Sequence, residues 1–184
     1  NGSTTGKLMY STNGTSWTDI NTGLSTSESI QGVTYCLNKF IYWIGSSTYS
    51  VSDDGINWGS PKSGPSAISS VKLNCINDIF VVTGDPSGAG HVFFTSNLSS
   101  LVSLRLTNEI SETQTVVKGI AYGNNIYVAL IDTNPTLELW YSTALSFDTW
   151  SQINKNFALS DINDITFRHN KFVLVGDNGQ ILYS

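Results

Sequence analysis

Charge is scarce in this chain. Lys, Arg, Asp and Glu make up 12% of its 184 residues, with nine bases against fourteen acids and a net charge of −5. So acidic a chain has no electrostatic footprint for nucleic acid or for an anionic membrane surface. Cysteine is rarer still, at Cys36 and Cys75, and neither sits in a Cys-x-x-Cys pair or a Cys/His cluster that would hold zinc. His91 and His169 have no Ser/His/Asp spacing or nucleophile elbow around them. No run of 18 apolar residues is present to cross a bilayer. The glycine-rich stretch from Gly84 to Gly90 lacks the Lys-Ser/Thr ending of a phosphate loop, and no helix follows it in the sequence pattern. Neither a metal nor a cofactor is expected. The chain opens on Asn1 rather than Met, as a processed or excised chain would, so the lack of a leader says nothing about export.

Apolar residues are not lacking. They make up 40% of the chain, 11% being aromatic, which is enough for a sizeable core in one domain. They come in short β-branched and aromatic runs, punctuated every 8–12 residues or so by Gly, Asn, Asp and Ser, which reads as strands and not helices. One heptad organises these runs. It reads Ser11-Thr12-Asn13-Gly14-Thr15-Ser16-Trp17 in one copy and Ser52-Asp53-Asp54-Gly55-Ile56-Asn57-Trp58 in another. It decays in Thr95–Leu101 and is stretched in Ser142–Trp150. Each copy follows a short apolar strand. Gly supplies the positive φ of a turn, and the Asx side chain bonds nearby backbone N–H groups. The Trp is expected to return the chain to apolar packing.

This Ser-x-Asp/Asn-Gly-x-x-Trp pattern resembles the Asp-box (BNR) repeat of sialidase-like β-propellers. The resemblance implies a propeller fold, with Ser11, Asn13, Gly14, Trp17, Ser52, Asp54, Gly55, Trp58, Ser142 and Trp150 as structural box residues on the blade periphery. The resembling sialidases grip a carboxylate with three arginines. This chain has two, Arg105 and Arg168, so it is expected to lack that activity. Similar arrays occur in propeller domains of phage tail or virion proteins and of bacterial surface proteins. The stretch Val175–Ser184 is also similar to blades of photosystem II assembly propellers.

A second signal repeats with the first. Asn38-Lys39, Asn77-Asp78, Asn124-Asn125 and Asn170-Lys171 each separate two apolar strands, and each reads as a two-residue hairpin turn. Box-to-box spacings are 41 (Ser11 to Ser52), 43 (to Thr95), 47 (to Ser142) and 42 (to Ser184). A period of about 40–50 residues with four strands per unit is the mark of a propeller. The expected fold is all-β, with four-stranded antiparallel blades and a repeat of about 43 residues. A single domain over 1–184 is expected, with units at 1–20 (partial), 29–59, 69–106, 116–153 and 162–184 (partial). Naming strands A to D from inside outward gives four A, four B, five C and four D. The surplus C strand favours a window of a larger ring over a closed four-bladed one. Cys36 and Cys75, read as equivalent positions on adjacent blades, are expected to be free buried thiols.

The A–B and C–D turns should share one face of the ring, and the more variable B–C and D–A loops the other. Binding usually resides in loops held on a rigid scaffold, so the candidate ligand residues are Asp85, His91, Asp132, Asn134 and Glu138. Trp43 and Trp140 could stack on sugar or simply pack between blades. The expected function is non-enzymatic recognition or scaffolding on an extracellular or virion surface, with a protein or glycan partner, no nucleic acid, no membrane insertion, and an oligomer or a longer chain as context. The alternatives are a glycoside hydrolase of sialidase-like fold, which would need two opposed carboxylates, and an assembly factor binding a protein.

Overall fold

Lys39–Ile44 and Ile126–Asp132 are apolar at nearly every position, not at alternate ones. A strand of that kind needs cover on both faces. The computed structural model provides it by stacking sheets face to face. It describes residues 7–24, 28–45, 47–64, 68–86, 91–106, 115–133, 136–146, 149–153 and 162–184, with backbone alone for 69, 70, 85, 86, 91 and 105.

Among the described residues there are seventeen strands, no α-helix and one short 3-10 turn, Asp177–Gly179. The hairpin β1 (Leu8–Tyr10) and β2 (Thr18–Ile20) comes first. The first blade is β3 (Ile30–Cys36), β4 (Lys39–Ile44), β5 (Thr48–Ser52) and β6 (Lys62–Ser63). The second is β7 (Ile68–Ile76), β8 (Ile79–Pro86), β9 (His91–Thr95) and β10 (Val102–Arg105). The third is β11 (Val116–Gly123), β12 (Ile126–Asp132), β13 (Leu137–Ser142) and β14 (Ser151–Gln152). The fourth holds β15 (Ile162–Arg168), β16 (Lys171–Gly176) and β17 (Ile181–Tyr183). All pairings are antiparallel between chain neighbours, and one bridge, Val117 opposite Gly84, ties the second blade to the third. This is a β-propeller arc of antiparallel blades, with the surplus C strand that the sequence implies.

Side chains alternate across a strand, and here the alternation sorts them between neighbouring blades. In β4, Ile41 and Trp43 join Phe80, Val82 and Phe93 of the second blade, while Tyr42 and Ile44 turn back onto Leu8 of β1. Val81 and Val92 face Ala129, Ile131 and Trp140 of the third blade. Val128 and Leu130 face Ile165, Phe172 and Leu174 of the fourth. Each interface is thus built from alternate residues of the same strands. Trp43 is fully buried and stacks on Tyr49 at 6.0 Å, and Trp140 is buried, so both tryptophans serve packing.

The inner strands approach closely through small residues. Leu73 packs beside Gly32, and a Cβ on Gly123 would lie 2.2 Å from the Phe167 ring. A cross-strand aromatic pair marks the position beside the A–B turn: Tyr35 with Phe40, Tyr122 with Tyr127 and Phe167 with Phe172. In the second blade the register puts Cys75 opposite Phe80 in that place.

Cys36 and Cys75 are not free. They form a disulfide with a Cα–Cα distance of 5.3 Å. The expectation of thiols assumed equivalent positions, and register shows otherwise: Cys36 pairs with Lys39 directly beside its turn, whereas Cys75 lies one residue further in. A one-residue offset points a side chain to the opposite face of its sheet. Cys36 therefore faces forward and Cys75 backward, and they meet between the first two inner strands.

The same register corrects two hairpins. The turns are Leu37-Asn38 and His169-Asn170, not Asn38-Lys39 and Asn170-Lys171, and all four residues have positive φ. What the four hairpins share is Asx at the second turn position: Asn38, Asp78, Asn125 and Asn170. A left-handed Leu37 or His169 costs about 1–2 kcal/mol, yet slipping the register would turn every side chain of β4 or β16 to the wrong face. Two connectors also shorten. The outer strand β6 falls within the stretch 60–67, and β8 extends through Pro86 into the segment read as a loop.

The disulfide closes a loop with a sequence separation of 39, which corresponds to roughly 2–4 kcal/mol of stabilisation. Cys36→Ser/Cys75→Ser is expected to lower the Tm relative to the oxidised protein, and dithiothreitol should erase the difference; equal melting curves without reductant would contradict this. Gly123→Ala, which drives a methyl into the Phe167 ring, is expected to cost about 1–3 kcal/mol in denaturant unfolding, whereas Gly14→Ala, with nothing within 4 Å of its Cβ, meets only its positive φ.

Candidate functional site

The heptad turns are built by their own side chains. Ser52 Oγ accepts from the Asp54 and Gly55 N–H groups and donates to Asp54 Oδ1. Asp54 Oδ1 accepts from Ile56 N at 2.8 Å and Asn57 N at 2.7 Å, and Oδ2 accepts from Asn57 Nδ2. Ser11 and Asn13 reproduce the backbone set in the first copy. Thr95 and Asn97 reproduce three of the four in the third, where Leu98 takes the glycine position at φ 57 and is buried between the first two blades. Burial of Leu98 offsets the strain there. In the fourth copy Ser142 accepts from Ala144 N and bonds Thr149 Oγ1.

These bonds hold the Asp54 carboxyl well below the usual carboxylate range, chiefly through the Asn57 and Ile56 backbone N–H groups. Its oxygens are engaged within the turn, which makes the turn a fold element. Trp58 donates to Gly55 O and packs on Tyr42 at 4.4 Å, and Trp150 is buried. Trp17 departs from expectation: it is 58% exposed. It follows β1, which among the described residues pairs only with β2.

On the opposite face, two of the five candidate ligand residues, Asp132 and Glu138, have described side chains. Asn134 lies outside the described residues, as do the side chains of Asp85 and His91. Asp132 pairs with Lys118 at 3.3 Å. Glu138 accepts from Trp140 Nε1 at 2.8 Å. Alternation places Asp132 and Glu138 on opposite faces of the third blade, since Glu138 sits opposite Ile131 and not opposite Asp132.

The structure brings other polar groups to this face. Every A–B pair is interrupted at the same level, between Ile30 and Gly32, Ser69 and Lys72, Val117 and Gly119, and Ile162 and Asp164. Such bulges re-aim side chains and recur beside binding sites. Here they set Gln31, Lys118 and Asn163 at equivalent points on the inner strands. Lys72 lies 3.3 Å from Asp164 and donates to Asn163 O at 3.0 Å, reaching from the second blade to the fourth. Asn163 Nδ2 in turn donates to Asp177 Oδ1 at 2.7 Å. The result is a partly exposed polar rim of alternating charge at the D–A ends of the inner strands. It can hydrogen-bond and ion-pair with a partner surface; no group of three metal-ligating side chains occurs among the described residues. A signal for it was present: Gln31, Lys118 and Asn163 each stand six residues before the first turn residue of their hairpin.

The turn face carries a cavity as well. A groove of about 790 Å³ runs between the first and second blades, lined by Cys36, Cys75, Lys39, Asp78 and Leu98 among others. Lys39 is paired with Asp53, and Lys62 donates to Leu98 O at 3.0 Å.

Comparison with known proteins agrees on fold alone. No family model and no curated protein matches the sequence. Among solved structures, the chain is similar to PorZ, a bacterial surface component of the type-IX secretion system of Porphyromonas gingivalis, with TM-score 0.66 and 12% identity over 91% of this chain and 22% of PorZ. It is similar to YCF48 bound to D1 peptide, with TM-score 0.61 and 15% identity over 97% of this chain and 56% of that one. The β-propeller domain of Cps50 (Swd1) from Myceliophteria thermophila gives TM-score 0.62 and 12% identity over 97% and 62%. The chain thus spans less than two thirds of each of these chains.

The depressed Asp54 carboxyl has a sign that can be read. Its contribution to stability is complete above the unfolded value of about 3.9 and is lost as pH falls through the lower folded value. Asp54→Asn keeps the acceptor that Asn13 uses. It is therefore expected to melt slightly below wild type at neutral pH, with the gap closing below about pH 4, whereas Asp54→Ala should melt lower than both at every pH. Melting curves from pH 2.5 to 7 check this, and a gap that widens in acid would refute it.

Proposed function

We propose that this chain is a non-enzymatic recognition propeller that binds a protein partner on its B–C/D–A face. The observation that carries the reading is the bulge-built rim of Lys72, Lys118, Asp132, Asn163 and Asp164, set on a rigid stack of blades. Its acids are engaged by lysines, and Glu138 by an indole, which favours a recognition surface over a pair of catalytic carboxylates. The similarity to YCF48, a propeller seen with a peptide, supports a protein partner. We read the heptad turns as Asp boxes that serve the fold. The Cys36–Cys75 disulfide supports an oxidising compartment, and with it an extracellular or virion surface.

The test couples both faces to one partner. Proteins cross-linked to the chain on intact cells or particles are identified, and the purified partner is then titrated. Lys118→Glu is expected to weaken binding tenfold or more without lowering Tm by more than a few degrees, while Lys39→Glu on the turn face leaves affinity unchanged. Loss at Lys39 with Lys118 silent would move the site to the groove. Binding of a glycan array in place of a protein would change the partner class. Turnover of a chromogenic glycoside abolished by Asp164→Asn would overturn the non-enzymatic reading.

A further inference from the structure

The groove on the turn face, walled by the first and second blades, is lined by both cysteines of the Cys36–Cys75 disulfide. The two sulfurs differ in setting. Cys36 is 1% exposed and packed with Ile41, Phe80 and Leu98, whereas Cys75 is exposed. Their neighbours differ too. Register sets Lys39 directly opposite Cys36, and Phe80 directly opposite Cys75. Residues so placed on antiparallel strands carry their side chains on one face, with Cβ atoms about 4.5–5.5 Å apart. A cation therefore stands beside the buried sulfur, and an aromatic ring beside the exposed one. The other charged residues lining the groove are Lys62 and Asp78, and Asp53 pairs with Lys39. Blades here do not need a covalent bond to stack. The third and fourth meet through Gly123 against Phe167, and the chain has no cysteine beyond these two.

We propose that Cys36–Cys75 is a thiol-exchange site, at which a small thiol of the glutathione class enters the groove and becomes joined to Cys75. Exposed disulfides are the labile and regulatory ones. The groove, at about 790 Å³, lies within the span of small-molecule pockets, about 300–1,000 Å³. The sulfur that a thiolate in the groove reaches is Cys75 Sγ. As the new S–S bond forms there, the Cys36–Cys75 bond breaks and its electron pair leaves on Cys36 Sγ. A cation beside a cysteine lowers its thiol pKa, and a thiol of lower pKa leaves faster. Lys39 thus favours the same direction that access does. The Cys36 thiolate then takes a proton from water. The products are a mixed disulfide on Cys75 and a thiol at Cys36. Return of Cys36 to Cys75 Sγ expels the small thiol and restores the bond. A second thiol attacking the adduct instead leaves both cysteines reduced and a small-molecule disulfide. The blades need not part for this, because Ile41 and Trp43 keep Phe80, Val82 and Phe93 as cover.

The test incubates the oxidised chain with reduced glutathione in native buffer, quenches with iodoacetamide and maps both cysteines by mass spectrometry. Glutathione on Cys75 and carbamidomethyl on Cys36 are expected, at thiol concentrations that leave the far-UV spectrum unchanged. Lys39→Gln is expected to slow adduct formation about threefold or more, and Lys39→Arg to restore it. Asp53→Asn, which frees Lys39 of its counter-ion, should move the rate the other way. The uncharged thiol 2-mercaptoethanol should show the same dependence on Lys39, because the cation acts on the leaving sulfur and not on the carboxylates of glutathione. An adduct on Cys36 in place of Cys75 overturns the proposal. So does the absence of any adduct, or a bond that opens only when the strand spectrum is lost. Rates unchanged in both Lys39→Gln and Asp53→Asn overturn the assignment of Cys36 as the sulfur that leaves beside Lys39.

Discussion

The structure depends on one constraint: a blade cannot cover its own two faces. Each sheet is a single layer, apolar on both sides through its middle strands, and no strand in it can shield another from water. The free energy of burial is therefore held between blades. Ile41 and Trp43 have no core within their own blade; they acquire one when Phe80, Val82 and Phe93 arrive. Fully burying side chains of this kind is worth roughly 1.5–3 kcal/mol each, so stability accrues interface by interface, as in other repeat architectures. The glycines of the inner strands and the alternation along β4, β8 and β12 follow from this need, since the sheets must come close enough at the axis to exclude water.

Under that constraint, the heptad turns and the polar rim differ in where their polar groups go. The turns spend their polar groups inward: the Asp54 oxygens and the Ser52 hydroxyl are committed to N–H groups within a few residues. The bulges at the other end spend theirs outward, interrupting the A–B ladder so that Lys118 and Asn163 leave the regular pleat. One end of each blade closes the hairpins, and the other interrupts the A–B ladder.

Much of this was legible in the residues, and what was not failed for a physical reason. The period, the existence of four hairpins and the uneven count of A, B, C and D could be read directly, because turn chemistry and apolar runs are local signals. Register was not local. Placing the turns one residue late at Asn38-Lys39 and Asn170-Lys171 is a shift of a single residue, but parity decides which blade a side chain faces. The same slip made Cys36 and Cys75 look equivalent and hid their bond. The site was less legible still. The candidate residues of the sequence are polar groups in loops, whereas Lys72 and Asp164, which the fold brings together, lie on inner strands, far apart in sequence, and read as interruptions of apolar runs. Asp132 was found by its loop position, but its partner Lys118 needed the bulge to be seen.

The disulfide also changes how the chain would carry mechanical tension. Pulled from its two ends, an arc of stacked sheets peels one blade at a time, each yielding its length of chain as its hairpins open. Here the covalent path runs from Cys36 directly to Cys75. The second, third and fourth strands of the first blade, and nearly all of the second blade's inner strand, lie off that path and bear no load. The first two blades therefore cannot be drawn out in full: the tether between them stays short even after their apolar faces part, and the faces remain beside each other to close again when the force drops.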